Sequence, residues 1–318
     1  MDFETHFKES AICKDINNGK LSHSVLLVSP DNYALERYAH YLVKALMCTS
    51  ENKPCGVCAE CKKVEHNNNV DVLYYPKTTK ALSSAEINEL IEKVYTAPYE
   101  SNQQVFVINN ANGIDKSMQN KLLKSLEEPP QGTYFVLIAT EDNNILPTIK
   151  SRCRIVRVPT VENEEITRVL KEKGVDDETI NLAISYCDSN CSQAINYALN
   201  PNFKETVILV EDIFRNFRKS WQMLDYSSKL YGYSENFEEV LDIFLNICAR
   251  TVAYICGKNS NDAIAREVAQ NFSIDALVNL NFECNKIVQK RRSNCNFNSV
   301  VDGFLFMILE VRHKWPIM

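Results

Sequence analysis

Four cysteines stand close together early in the chain, at a spacing that can hold a metal ion: Cys48, Cys55, Cys58 and Cys61. Four thiolates complete the tetrahedral coordination of Zn²⁺ and leave no open position for a catalytic water, so such a site is structural. Gly56, in the turn between the second and third cysteines, frees a backbone N–H to approach a sulfur. We therefore predict one structural zinc ion on these side chains; the alternative is four unrelated core cysteines.

Composition places these cysteines in a globular protein, since the chain has 318 residues, of which 45% are apolar and 24% are charged. Its longest apolar runs are too short to cross a bilayer, and its first residues are mixed and charged, unlike a secretory signal. We expect a cytoplasmic protein with no membrane contact, in which cysteines are ligands or core residues rather than disulfides. The net charge of −6 argues against an autonomous nucleic-acid binder, although not against a subunit whose partners hold DNA.

The first half of the chain alternates short apolar runs with helical patterns, which predicts a parallel α/β sheet with right-handed crossovers. Nearly continuous apolar runs are typical of strands that are covered on both faces. The predicted strands are Ser24–Val28, Asp71–Tyr75, Val105–Ile108, Tyr134–Ala139 and Arg154–Val158. The predicted helices between them are Ala34–Met47, Ser83–Ala97 and Asp115–Glu127.

Helical patterns follow after Pro159 and divide the chain further. We predict an α/β domain over 1–160 that contains the cysteine cluster, a small helical domain over 161–202 and an all-helical domain over 203–318. In the last domain, apolar stripes at helical spacing predict the core of a bundle, which is also suited to oligomerisation. The stripes are Val210, Ile213, Phe214, Phe217, Trp221 and Leu224; Phe237, Val240, Leu241, Phe244, Leu245 and Cys248; and Phe297, Val300, Val301, Phe304, Leu305 and Ile308.

Segments of the first half resemble motifs of the bacterial DNA polymerase III clamp-loader ATPases, which belong to the AAA+ superfamily. These segments are His23–Cys48 with the following Pro54–Cys61, then Leu122–Pro130 and Leu146–Cys153. The resemblance implies an AAA+ parallel-sheet domain with a zinc-binding insertion, a small helical lid domain and an all-helical C-terminal collar domain. The second half matches the family only in length and helical character.

The resemblance fails at the phosphate loop, which in ATP-hydrolysing members reads GPxGxGK[ST] after the first strand. The same stretch here reads SPDNYALE over Ser29–Glu36 and contains no glycine. Leu35 stands in place of the phosphate-binding Lys and Glu36 in place of the Mg²⁺-binding hydroxyl, while Asp31 and Asn32 precede them. Because a triphosphate needs converging backbone amides and an ammonium group, we predict that the chain does not bind ATP.

The second nucleotide motif is also lost. Active members of the family end the third strand with Asp-Glu, of which the Glu polarises the attacking water, whereas this chain has Asn109 and Asn110. An amide cannot act as a general base and brings no charge to a metal ion. The family's sensor arginine would fall near Ser192 or Gln193, and neither is arginine.

One catalytic motif is retained, the Ser-Arg-Cys sequence Ser151–Cys153. In the resembling family its arginine reaches the γ-phosphate of ATP bound to a neighbouring subunit. A planar guanidinium suits the charge that develops on a transferring phosphoryl group. The resemblance thus implies that Arg152 is an arginine finger that acts in trans, with Ser151 and Thr148 in support; the alternative is a surface arginine in a salt bridge.

A subunit without its own ATP site but with a finger implies a non-hydrolysing stator in a clamp loader. The resemblance implies partners: gamma/tau ATPase subunits and a delta subunit and, through the complex, the sliding clamp and primer-template DNA. The alternatives are a short, active gamma/tau-like ATPase, a zinc-bearing DNA-binding adaptor and an adaptor in another assembly. The phosphate-loop residues oppose the first and the acidic charge opposes the second, although Lys290–Arg292 is a short basic run.

Overall fold

The computed structural model describes residues 3–78, 81–258, 261–292 and 295–314, without the side chains of 289–292, which include the basic run Lys290–Arg292. The chain forms two compact units. The first comprises the chain up to Gly174 together with Ser189–Ile195, and the second comprises Val175–Asp188 and the chain from Asn196 onward. The domain boundaries near 160 and 202 stay a prediction. Within the described residues, every helix is too short or too polar to cross a bilayer.

The first unit is built on a five-stranded sheet in the order β2-β3-β4-β1-β5, in which every pair is parallel. All residues of β1 and β3 are buried, as expected for central strands covered on both faces. The strands are β1 Ser24–Val28, β2 Val72–Tyr75, β3 Gln104–Ile108, β4 Thr133–Ala139 and β5 Arg154–Arg157. This sheet confirms the predicted fold class.

Helices cover the sheet of the first unit. Leu122 and Leu126 on one helix join the buried strand residues Phe106 and Phe135, whose rings stack 5.5 Å apart between centroids. The helices are α1 Phe3–Glu9, α2 Ala11–Asn17, α3 Asn32–Met47, α4 Ala59–Glu65, α5 Ser84–Val94, α6 Lys116–Glu127, α7 Pro147–Lys150 and α8 Asn163–Glu172. Core packing thus positions β1 and β3, which Asp31 and Asn109 follow, and β5, which Arg152 precedes.

The second unit is helical in its described part. Its core is aromatic: Phe244 stacks on Phe214 at 4.4 Å between ring centroids and meets Phe304 edge-on at 5.0 Å. The helices are α9 Asp177–Tyr186, α10 Cys191–Leu199, which begins in the first unit, α11 Phe203–Asn216, α12 Met223–Tyr231, α13 Phe237–Ile255, α14 Ala263–Ala269, α15 Ile274–Arg292 and α16 Phe297–Lys314.

The predicted bundle stripes correspond to α11, α13 and α16, with one error. Trp221 and Leu224 were assigned to the core stripe that begins at Val210, but their side chains are 74% and 85% exposed. Helix α11 ends at Asn216, and a separate short 3₁₀ turn follows at Ser220–Gln222, so the helical spacing does not continue. A change of direction in the chain therefore places these two residues at the surface.

Candidate functional sites

The four cysteines lie together where α3 ends and α4 begins. Cys48 follows α3 directly, Cys58 is the N-cap of α4 and Cys61 lies in its first turn. All four sulfurs lie within 4.8 Å of one another, with 3.9 Å between Cys55 and Cys61 and 3.9 Å between Cys48 and Cys58. A tetrahedral zinc ion with bonds of about 2.3 Å requires sulfurs about 3.8 Å apart, so the donor set fits zinc.

Backbone N–H groups and the Ser50 side chain donate hydrogen bonds to sulfurs of the cysteine cluster, which favours the thiolate form that binds a cation. The N–H of Cys58 donates to Cys55 Sγ at 3.3 Å, and the N–H of Cys61 donates to Cys58 Sγ at 3.4 Å. Hydrogen bonds from the Ser50 side chain and from the backbone of Cys58 and Val57 lower the pKa of Cys55 to about 5. Burial raises the pKa of Cys61, and a bound cation would offset that effect by favouring the thiolate.

The turn from β1 into α3 is closed by the carboxylate of Asp31, which is completely buried. Asp31 is the N-cap of α3, and its Oδ1 accepts the N–H of Tyr33 at 3.0 Å. A carboxylate at a helix N-terminus satisfies unpaired amides and complements the helix dipole. The carboxylate thus lies at the N-terminus of α3 and binds a backbone amide of this turn.

The same carboxylate also binds the start of α10. The N–H groups of Cys191 and Ser192 donate to Asp31 at 2.9 and 3.1 Å, and the Ser192 hydroxyl donates to it at 2.8 Å. The N–H of Tyr33 also donates to Ser192 Oγ at 2.7 Å, and the Asn190 amide donates to the carbonyl of Pro30 at 3.1 Å. One carboxylate therefore caps two helices, and its amide partners are internal to the chain.

The other residues aligned with the phosphate loop bring no positive charge to an anion. Leu35 is fully buried, whereas Asn32 and Glu36 are exposed. Asn109 and Asn110 follow β3; the N–H of Asn109 donates to the carbonyl of Tyr75 at 2.7 Å, and Asn110 adopts a left-handed backbone with φ 52°. The backbone of Asn109 is thus hydrogen-bonded to the end of the neighbouring strand β2.

Arg152 lies between α7 and β5 and is held by two contacts. Its Nη1 donates to the carbonyl of Thr148 at 3.0 Å, and its Nη2 donates to Glu127 Oε1 at 2.9 Å. The side chain of Arg152 is 30% exposed and that of Glu127 is 55% exposed. The hydroxyl of Ser151 also donates to the carbonyl of Thr148, at 3.0 Å. Burial raises the pKa of Cys153 to about 12, so this thiol stays neutral.

A shallow cavity of about 380 Å³ borders Arg152 and is also lined by His23, Leu126, Glu127 and Ser151. The imidazole Nε2 of His23 lies 2.8 Å from the carbonyl of Leu126. The guanidinium thus stands at the rim of an open recess, where an anion from outside the chain can reach it.

Two features of these sites escaped sequence reasoning. The contacts of Asp31 join residues 161 positions apart, and those of Arg152 with Glu127 span 25 positions. Glu127 stands inside the Leu122–Pro130 motif, but no local spacing connects it to an arginine on another element.

Comparisons relate this chain to proteins of bacterial DNA polymerase III. Residues 6–162 match the family described as DNA polymerase III, delta subunit. A DNA polymerase III subunit gamma from Buchnera aphidicola subsp. Schizaphis graminum is 28% identical over 194 residues, covering 58% of this chain and 53% of the relative. The match therefore spans about half of that relative's length. A DNA polymerase III gamma subunit-related protein from Thermotoga maritima covers 98% of this chain and all of that chain, at 16% identity and a TM-score of 0.44.

The sequence matches support a clamp-loader subunit of bacterial DNA polymerase III. A DNA polymerase III subunit delta' from Buchnera aphidicola subsp. Baizongia pistaciae is 28% identical over 294 residues, covering 83% of both chains. The match of residues 6–162 and the similarity to delta' relatives support a delta-prime-like subunit.

Proposed function

We propose that this chain is a non-hydrolysing stator of the clamp loader that supplies Arg152 in trans to a neighbouring ATPase subunit. The observation that carries the proposal is the buried Asp31 carboxylate, which accepts the N–H of Tyr33 in the phosphate-loop turn and those of Cys191 and Ser192 at the start of α10. The chain keeps an available guanidinium while its own phosphate loop is filled.

The absence of ATP binding is argued from charge and space. A triphosphate at the turn would have to displace a buried carboxylate from its amide partners, at like charge and with no ammonium to neutralise it. The fully buried Leu35 stands where the family places the phosphate-binding lysine. Asn109 and Asn110 supply neither a general base nor a metal-binding charge.

The proposed role of Arg152 follows from its chemistry. A guanidinium offers a rigid fork of donors that suits the oxygens of a transferring phosphoryl group. In this chain the fork is partly exposed and lies beside an open recess. Ser151 and Thr148 support it, because the carbonyl of Thr148 binds both the guanidinium and the Ser151 hydroxyl.

The proposal extends to partners and metal. The neighbouring ATPase would be a gamma/tau subunit, with a delta subunit in the same assembly, and the complex would load the sliding clamp on primer-template DNA. One zinc ion on the four cysteines would hold the end of α3 against the start of α4. We keep the division into α/β, lid and collar domains at 160 and 202 as part of this proposal.

Nucleotide binding to the isolated chain tests the first half of the proposal. We expect no saturable binding of labelled ATP with Mg²⁺. The variant with Leu35→Lys and Glu36→Thr should also fail to bind, because Asp31 still fills the turn. Micromolar, Mg²⁺-dependent binding by the unmodified chain would instead support the active gamma/tau-like ATPase.

Arg152→Ala in a reconstituted loader with gamma/tau and delta subunits tests the second half. The ATP site that faces Arg152 should lose about 10³–10⁵-fold in rate, as for other arginine fingers. Total clamp- and DNA-stimulated turnover should fall by the share of that site. Arg157→Ala is the matched control, since Arg157 is an exposed arginine on β5. Unchanged turnover with Arg152→Ala in an intact complex would contradict the finger role.

A further inference from the structure

We infer that Glu127 is a positioning residue for Arg152. Its carboxylate holds the guanidinium in the orientation in which it can bind a phosphate of the neighbouring subunit. The inference rests on the proposed function and adds a second residue to that site.

The geometry of the pair carries the inference. Glu127 is the last residue of α6, and Arg152 lies between α7 and β5. The carboxylate binds Nη2 at 2.9 Å, while the carbonyl of Thr148 binds Nη1 at 3.0 Å. Two acceptors from different elements, one on each terminal nitrogen, fix both the direction and the plane of the guanidinium.

A single acceptor would not achieve this. Arginine has a long side chain with large rotamer freedom, and the carbonyl of Thr148 alone leaves the guanidinium free to turn about one hydrogen bond. Catalysis by a charged group depends on its being in place before the reaction, because displacement by about 1 Å can cost on the order of 10²-fold in rate. Glu127 supplies the second restraint.

The ion pair is also weak enough to be exchanged. Both side chains are partly exposed, so water screens their attraction. A phosphate carries more negative charge than a carboxylate, and each terminal nitrogen has a further N–H to offer. Arg152 can therefore bind a phosphate while it retains or releases Glu127, without leaving a buried charge unpaired.

The next residue provides a matched control. Glu128 carries the same charge one position later, but its side chain lines a different cavity, of about 300 Å³, together with Ile91, Tyr95 and Lys124. Glu128→Ala therefore makes the same change in net charge at the end of α6 and leaves the contact with Arg152 intact.

The test uses the reconstituted loader and the Arg152-dependent part of ATP turnover, defined as the difference between the unmodified complex and Arg152→Ala. With Glu127→Ala, we expect the kcat of this part to fall about 10–100-fold. The KM for ATP should not change, because the neighbouring subunit binds the nucleotide. Glu127→Gln keeps an oxygen acceptor and should restore part of the loss, and Glu128→Ala should match the unmodified complex.

The double variant decides whether Glu127 acts through Arg152. Adding Glu127→Ala to Arg152→Ala should cause no further loss. An equal further loss in that background, unchanged turnover with Glu127→Ala alone, or a rise in turnover would each overturn the inference while the finger role of Arg152 stands. If Arg152→Ala lowers turnover, the proposed function holds and these outcomes test Glu127 alone. If Arg152→Ala leaves turnover unchanged, the proposed function and the inference both fail. Equal thermal unfolding of all variants excludes misfolding as the cause.

Discussion

The turn after β1 and the segment before β5 both correspond to places where the resembling family meets phosphate, yet they are built in opposite ways. In the turn, a buried carboxylate collects backbone amides of the same chain. Before β5, a cation stays partly exposed on one carbonyl and one exposed carboxylate. The first region binds its charge within the chain, and the second leaves its charge partly exposed to solvent.

Under the proposed function, the difference teaches that a turn can be closed to phosphate by an added carboxylate as well as by the lack of phosphate-binding groups. The turn has neither glycine nor lysine, and the amides of Tyr33, Cys191 and Ser192 are polar and must be paired. Asp31 pairs them. In the proposed stator, this turn thus contributes to stability rather than to phosphate binding.

The largest effect on stability should come from the cysteine cluster, which lies at the opposite end of α3 from Asp31. Helix α3 has Asp31 at its start and Cys48 after its end. We expect one zinc ion per chain, and Cys58→Ser should release it. The metal contributes about 10–16 kcal/mol to folding of such a segment, so the insertion should become sensitive to protease and urea.

The control for zinc loss is Cys256→Ser, which changes an exposed cysteine outside the cluster. Treating the unmodified chain with a chelator should remove the zinc and have the same effect as Cys58→Ser. Purified protein without zinc, measured by elemental analysis, would contradict the prediction, as would a Cys58→Ser variant that retains the metal at full stoichiometry.

An intermediate effect is expected at Asp31. Asp31→Ala leaves the amides of the turn and of α10 without their acceptor, and a buried donor left unsatisfied costs about 1–3 kcal/mol. The free energy of unfolding in urea should fall by that amount. Glu36→Ala removes an exposed carboxylate from the same helix and should change it by less than about 0.5 kcal/mol.

The comparison between the two regions would break if Asp31→Ala unfolded like the unmodified chain. The carboxylate would then contribute nothing to the closed turn, and the amides would be equally well satisfied by water. If the variant instead bound ATP without loss of stability, the turn would be a phosphate site that Asp31 merely occupies.

The sequence predicted what local spacing can encode. The strand Ser24–Val28 begins and ends where it was predicted, and the four cysteines meet as their spacing indicated. The prediction that Trp221 lies in the core was wrong, because apolar spacing does not reveal that α11 ends at Asn216. The partners of Asp31 could not be predicted, since they are contributed by α10 after a change of chain direction at Asp188 and Ser189, both with positive φ.

The smallest effect on stability is expected at Arg152, and it completes the comparison. Exposed ion pairs contribute about 0.2–1 kcal/mol, so Arg152→Ala and Glu127→Ala should each lower the free energy of unfolding by less than about 1 kcal/mol. Added salt should reduce even that difference. A loss as large as that expected for Asp31→Ala would mean that Arg152 is a structural residue, committed to its own chain like the carboxylate of the turn. A small loss of stability together with a large loss of turnover is the result expected of an arginine finger that acts on a neighbouring subunit, and not of a structural arginine.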